Sequence, residues 1–193
     1  MVKTRLEAFS DGVIAIIITI MVLELKVPHD DSWTALKPLF PVFLSYLLSF
    51  IYIGIYWNNH HHLLHTVNNI SGKVLWANNN LLFWLSLVPF TTTWMGENHF
   101  STWPVAIYGI VLLMAGVAYY ILERTLLDHA INNTKLAKAV GSDIKGKSSI
   151  AIYIIAIVLT FIHPFIGCFL YIFVAAMWLI PDKRIEKKLA EEK

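Results

Sequence analysis

Long uncharged stretches constrain this chain more than any other feature of its sequence. Several of them run for 18 or more residues without a charged side chain. A helix needs about 20 predominantly apolar residues to cross the hydrocarbon core of a bilayer. Apolar residues make up 57% of the 193 residues and charged residues only 15%, whereas about 25% of a soluble domain is charged. The pattern predicts an all-α membrane protein.

Six of these stretches are interpreted as transmembrane helices. They cover about residues 8–26, 39–57, 74–95, 103–122, 148–162 and 164–180. The last two are nearly continuous, and His163-Pro164 supplies the break because proline lacks an amide donor and disfavours helix in the residue before it. A single bent segment is the alternative. Residues 1–193 together are expected to form one transmembrane domain.

The distribution of Lys and Arg gives the expected orientation. With a cytoplasmic N-terminus and six spans, 13 of the 15 basic residues fall in cytoplasmic segments, and only Lys26 and Lys37 lie outside. Basic residues stay in the cytoplasm during membrane insertion, so both termini are predicted to be cytoplasmic. Residues 123–147 would form a cytoplasmic linker containing a short amphipathic helix, and residues 182–193 a charged cytoplasmic tail. No cleaved signal peptide is expected.

Several functional classes have no support in the sequence. The net charge is only +2, and basic residues do not alternate with aromatic ones on a soluble face, so no nucleic-acid partner is predicted. The chain has neither a paired-carboxylate site nor a nucleophile with a nearby base, so it is not expected to be an enzyme or to need a cofactor. The single cysteine, Cys168, rules out a disulfide framework.

Polar residues interrupt the first predicted span near its start. Ser10 and Asp11 lie about one turn inside the apolar run. An ionised carboxylate in that setting costs several kcal/mol unless it is paired, so Asp11 is expected to be a buried acid that faces protein. The alternative is that Ser10 or Asp11 caps free backbone amides at the helix start.

The same helix carries an aliphatic stripe. At about 100° per residue, Phe9, Ile16, Ile20 and Leu23 share one face, and Asp11 points roughly 140° away from Ile16. Periodicity alone does not distinguish a stripe that faces lipid, packs as core or lines a pore.

A polar cluster lies at the cytoplasmic end of the second predicted span, at the same membrane depth as Ser10. It comprises Trp57, Asn58, Asn59, His60, His61, His62 and His65. Imidazole is a good ligand for zinc, copper and nickel, so a metal site is one interpretation. The favoured one is a hydrogen-bonded network in which Asp11 accepts from imidazole, indole and amide donors, with Asn78 of the third span as a further member.

These motifs resemble a known family. The first span begins with Arg5-x-x-x-Phe9-Ser10-Asp11 and continues with Gly12-Val-x-Ala-Ile16-x-x-Thr19; the matching elements further along are Trp57-x-Asn59-His60-His61, Asn78 and Pro89-Phe90. This combination closely resembles the signature of the transmembrane protein 175 family of potassium channels. The resemblance is specific in the first half of the chain. His62 departs from the pattern, since a basic residue is expected there.

The resemblance implies a six-helix subunit without the carbonyl filter of ordinary potassium channels, and no Thr-Val-Gly-Tyr-Gly occurs in this chain. The resemblance also implies that a single-repeat member such as this chain is a prokaryotic homotetramer, in which helix 1 of each subunit lines a central pore. The family's constriction maps to Ile16, with Ile20 and Leu23 as further layers and Thr19 as a polar ring. Arg5, Phe9, Ser10, Asp11, Trp57, Asn59, His60, His61 and Asn78 would then be a structural network that supports helix 1.

The expected function is therefore a potassium-permeable channel in a prokaryotic plasma membrane, with K⁺ and other monovalent cations as permeant ions and lipid and further copies of the chain as its partners. Two alternatives stay open. One is a proton- or cation-coupled secondary transporter that uses Asp11 and the histidines as a relay. The other is a membrane assembly or metal-sensing protein built around the histidine cluster, without permeation.

Overall fold

A computed structural model describes residues 3–65, 70–129 and 144–179, and all regular secondary structure in these ranges is helical. The elements in chain order are α1 (Lys3–Leu23), a 3-10 helix (Trp33–Leu39), α2 (Phe40–His65), α3 (Gly72–Ser86), α4 (Val88–Glu97), α5 (Thr102–His129), α6 (Ile144–Thr160) and α7 (Pro164–Leu179). The predicted all-α class is confirmed.

Three segments in the described ranges are long and apolar enough to cross a membrane, namely Lys3–Leu23, Trp33–His65 and Thr102–Leu127. They correspond to the first, second and fourth predicted spans. The third predicted span is not one helix: it breaks at Leu87 into α3 and α4, because Pro89 in the first turn of α4 has no amide hydrogen to continue the ladder. The fifth and sixth spans are separate helices, with α7 beginning at Pro164.

Two helices extend further than the predicted spans. α2 continues past Trp57 to His65, so the histidines lie on a helix, and α5 continues to His129. The predicted linker at 123–147 therefore begins inside α5, and α6 starts before it ends. Most of the amphipathic helix expected in that linker, and the tail at 182–193, lie outside the described residues.

α5 is the centre of the bundle and packs against α3, α4, α6 and α7, whereas α1 packs against α2, α3 and α4. α1 therefore contacts three helices from one side of the subunit. The residues that it buries lie on a single stripe, consisting of Leu6, Ser10, Ile14, Ile17 and Met21. This placement leaves the other face of α1 free of contact within its own subunit.

An ion pair joins the segment that follows α1 to the end of α4. Lys26 Nζ donates a hydrogen bond to Glu97 Oε1 over 2.7 Å. This hydrogen bond and the charge of Glu97 raise the pKa of Lys26. Both side chains are well exposed, and exposed pairs of this kind add little stability. The Lys26–Glu97 pair therefore joins the two segments but adds little to the free energy of unfolding.

Close approach of α4 to α2 depends on Gly96. A Cβ atom built at Gly96 would lie 2.6 Å from the Cα of Val42 and 2.5 Å from the Ser45 hydroxyl. The first of these neighbours is backbone and cannot move aside without separating the two helices. A hydrogen at this position is therefore what lets α4 lie directly against α2.

Substituting Gly96→Ala is expected to destabilise the fold by about 1–3 kcal/mol, the usual cost of overpacking a close contact. Gly54→Ala is the matched control, because no atom of another helix lies within 4 Å of a Cβ at that position of α2. Thermal unfolding in detergent should show a lower midpoint for Gly96→Ala alone. Equal midpoints for the two variants would mean that the α2–α4 contact is looser than described.

Candidate functional site

The aliphatic stripe of α1 lies on the exposed side of the subunit. Ile16 is 59% exposed, Ile20 43% and Leu23 74%, and Phe9 is exposed as well. Because these side chains contact little of their own subunit, the interpretation of the stripe as subunit core is wrong. A stripe this apolar must face either lipid or other copies of the chain. Thr19 is exposed beside it, and its hydroxyl donates to the carbonyl of Ala15 over 2.9 Å.

The opposite face of α1 is held by a chain of buried hydrogen bonds. Ser10 Oγ donates to the carbonyl of Leu6 (2.9 Å), Asn78 Nδ2 donates to Ser10 Oγ (3.0 Å), and His60 Nε2 lies 2.7 Å from Asn78 Oδ1. Since an amide oxygen only accepts, His60 Nε2 carries the hydrogen. Ser10 and Asn78 are fully buried and His60 is 2% exposed. One polar residue from each of α1, α2 and α3 therefore joins a single directed chain.

This geometry corrects the capping interpretation. α1 begins at Lys3, so Ser10 lies well inside the helix, where the backbone amides that a cap would satisfy already have helical partners. Its hydroxyl instead bonds back along the helix and accepts from α3. Ser10 is an interhelical contact rather than a cap.

Asp11 has a different partner and is not buried. Trp57 Nε1 donates to Asp11 Oδ1 over 2.9 Å, and both residues are exposed in the subunit. The predicted single network, with Asp11 accepting from imidazole, indole and amide, is wrong in this respect because, among the residues that the structure describes, only the Trp57 indole donates to it. Adjacent helical residues point about 100° apart, so Ser10 and Asp11 meet different neighbours.

The remaining predicted network residues lie around this pair. His61 stacks on the Trp57 ring, with centroids 6.0 Å apart. The Asn59 side chain donates to Ile55 of its own helix, while the Asn59 carbonyl accepts from the Tyr119 hydroxyl. Arg5 and Phe9 are exposed. The structure thus joins Ser10, Asn78 and His60 in one group and Asp11, Trp57 and His61 in another.

The four-residue spacing of His61 and His65 predicts that they are neighbours on a helix, and their rings do lie 4.5 Å apart. Sequence reasoning missed one contact. Glu97 had no predicted role, and nothing in the local sequence indicates its pairing with Lys26 because the partners are far apart in the chain. In the described ranges, no group of three or more His, Cys, Asp or Glu side chains is placed to hold a metal ion.

Comparison with known proteins identifies the family. The family described as endosomal/lysosomal potassium channel TMEM175 matches residues 5–89, which contain all six residues of the two groups. A protein of Chryseobacterium sp. (strain P1-3), named a potassium channel, is 56% identical over 191 residues, 99% of this chain and 100% of its own length. This chain belongs to the TMEM175 family. The resemblance drawn from the sequence motifs is confirmed.

Other TMEM175 relatives agree with this result. A potassium channel of Streptomyces collinus is 35% identical over 126 residues, 61% of each chain. The crystal structure of a lysosomal potassium-selective channel TMEM175 homolog from Chamaesiphon minutus superposes with a TM-score of 0.78 at 26% identity, covering 92% of this chain and 96% of that one. These relatives are channels, so the expectation that the chain is not an enzyme is confirmed.

In this TMEM175 chain, Trp57→Phe should remove the hydrogen bond to Asp11 and keep an aromatic ring under His61. We expect a loss of about 1 kcal/mol of folding free energy, the net value of one such bond. For a chain of this size, the thermal midpoint in detergent should fall by about 2–4 °C. Trp76→Phe, at a more exposed indole on α3, is the control. A midpoint that falls equally in both variants would show that the Asp11 bond adds nothing.

Proposed function

We propose that this chain is a potassium-permeable cation channel in which α1 of several identical subunits surrounds one pore. The observation that carries the proposal is the division of α1 into two faces. One face is bonded to α2 and α3 of its own subunit, and the other presents Ile16, Ile20 and Leu23 outward. The named potassium channels among its relatives support the same function.

The aliphatic face supplies the constriction in this proposal. Rings of Ile16, Ile20 and Leu23 from neighbouring subunits would form successive apolar layers along the axis. A narrow apolar ring excludes water and therefore ions, and a modest widening lets it wet and conduct. Gating then requires only a small tilt or rotation of α1.

Thr19 adds a polar layer between the aliphatic ones. Its hydroxyl hydrogen is donated to the carbonyl of Ala15, so both lone pairs of the oxygen stay available as acceptors. A ring of such oxygens suits a partly dehydrated monovalent cation. Thr19 is therefore the residue of this face that we expect to affect the preference between K⁺ and Na⁺.

The bonded face sets the tilt of α1. Ser10 is held by Asn78 and Asp11 by Trp57, at adjacent positions but in different directions. Two anchors about 100° apart around a helix fix its rotation as well as its distance from the bundle. We assign Arg5, Phe9, Asn59, His60 and His61 supporting positions around these anchors.

The assembly that fits this role is a homotetramer in a prokaryotic plasma membrane, with both termini in the cytoplasm. K⁺ is the permeant ion and no cofactor is required. The 3-10 helix carries exposed Trp33 and Leu36 and is followed by Phe40 at the start of α2, an apolar outer rim suited to lipid or a neighbouring subunit.

Reconstitution into liposomes with a potassium gradient tests the proposed function. The purified chain should give K⁺ flux that is driven by voltage alone and does not saturate at low ion concentration. Empty liposomes set the baseline, and a potassium ionophore sets the maximum. Saturable flux that requires a second ion would instead favour the transporter that relays protons through Asp11 and the histidines. Flux no greater than that of empty liposomes would exclude both the channel and the transporter.

A further inference from the structure

The end of α2 carries three exposed histidines, of which His61 also stacks on Trp57. His60 is buried and bonded to Asn78, whereas His61, His62 and His65 are exposed. His61 and His65 are one helical turn apart, and their ring centroids lie only 4.5 Å from each other, edge to face at 67°. Two imidazoles therefore already meet on one exposed face of α2.

Such a pair is suited to chelation. Neutral imidazole binds late first-row divalent metals such as Cu²⁺ and Zn²⁺, and Cu²⁺ binds most strongly in that series. Side chains at four-residue spacing are neighbours on a helix, so one metal ion can accept a nitrogen from each ring with water in its other positions. The His62 ring also contacts that of His61, but its centroid is farther away, at 5.8 Å, and His62 projects about 100° around the helix from His61.

We propose that His61 and His65 form a two-imidazole binding site for a divalent late transition metal ion such as Zn²⁺ or Cu²⁺. No third ligand is required from the protein, because the site is open to water. Such a site would bind its metal reversibly, as expected of a regulatory site rather than of a structural one.

The position of the site gives it a route to α1. His61 contacts His65 on one side and stacks on Trp57 on the other, and Trp57 donates to Asp11 of α1. Metal–nitrogen bonds are about 2.0–2.1 Å long for zinc, so both rings must turn a nitrogen toward one point. Turning His61 alters its stack on Trp57 and hence the bond to Asp11. This coupling rests on the proposed channel function, whereas the binding does not.

Binding is tested on the full chain in detergent, with any affinity tag removed and Cu²⁺ as the probe. Titration calorimetry should give one tight site per subunit, and electron paramagnetic resonance should show two equatorial nitrogens on the copper. The Cu²⁺ affinity should fall at least tenfold in His65→Gln. It should fall equally in His61→Phe, a variant that keeps an aromatic ring against Trp57. His62→Ala should bind as the wild type does. Equal binding by all variants, or equal loss in His62→Ala, would overturn the site.

Coupling is tested by K⁺ flux in liposomes with Zn²⁺ present on both sides. We expect Zn²⁺ to change the flux of the wild type and of His62→Ala but not that of His65→Gln. Intact Cu²⁺ binding with no effect of Zn²⁺ on flux would overturn the coupling. Intact binding in a chain that carries no flux at all would overturn the channel proposal and leave the metal site standing.

Discussion

Ile16→Ala is expected to raise K⁺ flux through the reconstituted protein on the order of tenfold. The substitution removes three carbon atoms from each subunit at the proposed constriction, and each buried methylene contributes about 0.8 kcal/mol to the exclusion of water. Lowering the barrier to wetting by about 1.4 kcal/mol is enough for a tenfold change in rate. The measurement is K⁺ flux per subunit in liposomes, with the K⁺/Na⁺ ratio recorded alongside.

Ile172→Ala is the matched control for this experiment. Ile172 lies on α7 and is 52% exposed, close to the 59% of Ile16, but it is remote from the stripe on α1. Its substitution should leave flux unchanged. If Ile16→Ala has wild-type flux and selectivity, or if Ile172→Ala raises flux equally, Ile16 does not form the constriction.

Asn78→Ala is expected to destabilise the subunit by about 2–4 kcal/mol. The substitution leaves the buried His60 Nε2 hydrogen and the Ser10 oxygen without their partner, and each unsatisfied buried group costs about 1–3 kcal/mol. At about 2–4 °C per kcal/mol for a chain of this size, the thermal midpoint should fall by roughly 5–15 °C. Thermal unfolding in detergent measures the effect.

The neighbouring Asn79 supplies the control, because it lies on the same turn of α3 but is exposed. Asn79→Ala should change the midpoint little. The double variant His60→Ala with Asn78→Ala should lose less than the sum of its single variants, since both act on one hydrogen bond. Additive losses would show that the two residues do not act together.

The first, second and fourth spans could be predicted from the sequence because their determinant is local. A run of uncharged apolar residues long enough to cross a bilayer has few other structures open to it. The helix ends were predicted less well. α2 and α5 continue to His65 and His129 because helical hydrogen bonding persists after the apolar run stops, and hydrophobicity marks only the part of a helix that meets lipid.

The sequence predicts which residues form the site but not which of them are hydrogen-bonded to each other. The sequence predicts one network of Ser10, Asp11, Trp57, His60 and Asn78, whereas the structure divides them into two hydrogen-bonded groups. Which residue bonds to which depends on the rotation of α2 and α3 about their own axes, and no local pattern encodes that rotation. His60 and His61 show the consequence, since one is buried against Asn78 and the next is exposed on Trp57.

The central claim is that the exposed face of α1 meets water in a shared pore rather than lipid. The most direct test is the reaction of Ile16→Cys, in a Cys168→Ala background, with a charged, membrane-impermeant thiol reagent during a K⁺ flux measurement. Phe169→Cys, at an exposed apolar position on α7, is the comparison. We predict that Ile16→Cys reacts and its flux changes, while Phe169→Cys stays unmodified. An unreactive Ile16→Cys in a conducting protein would place this face against lipid and contradict the account.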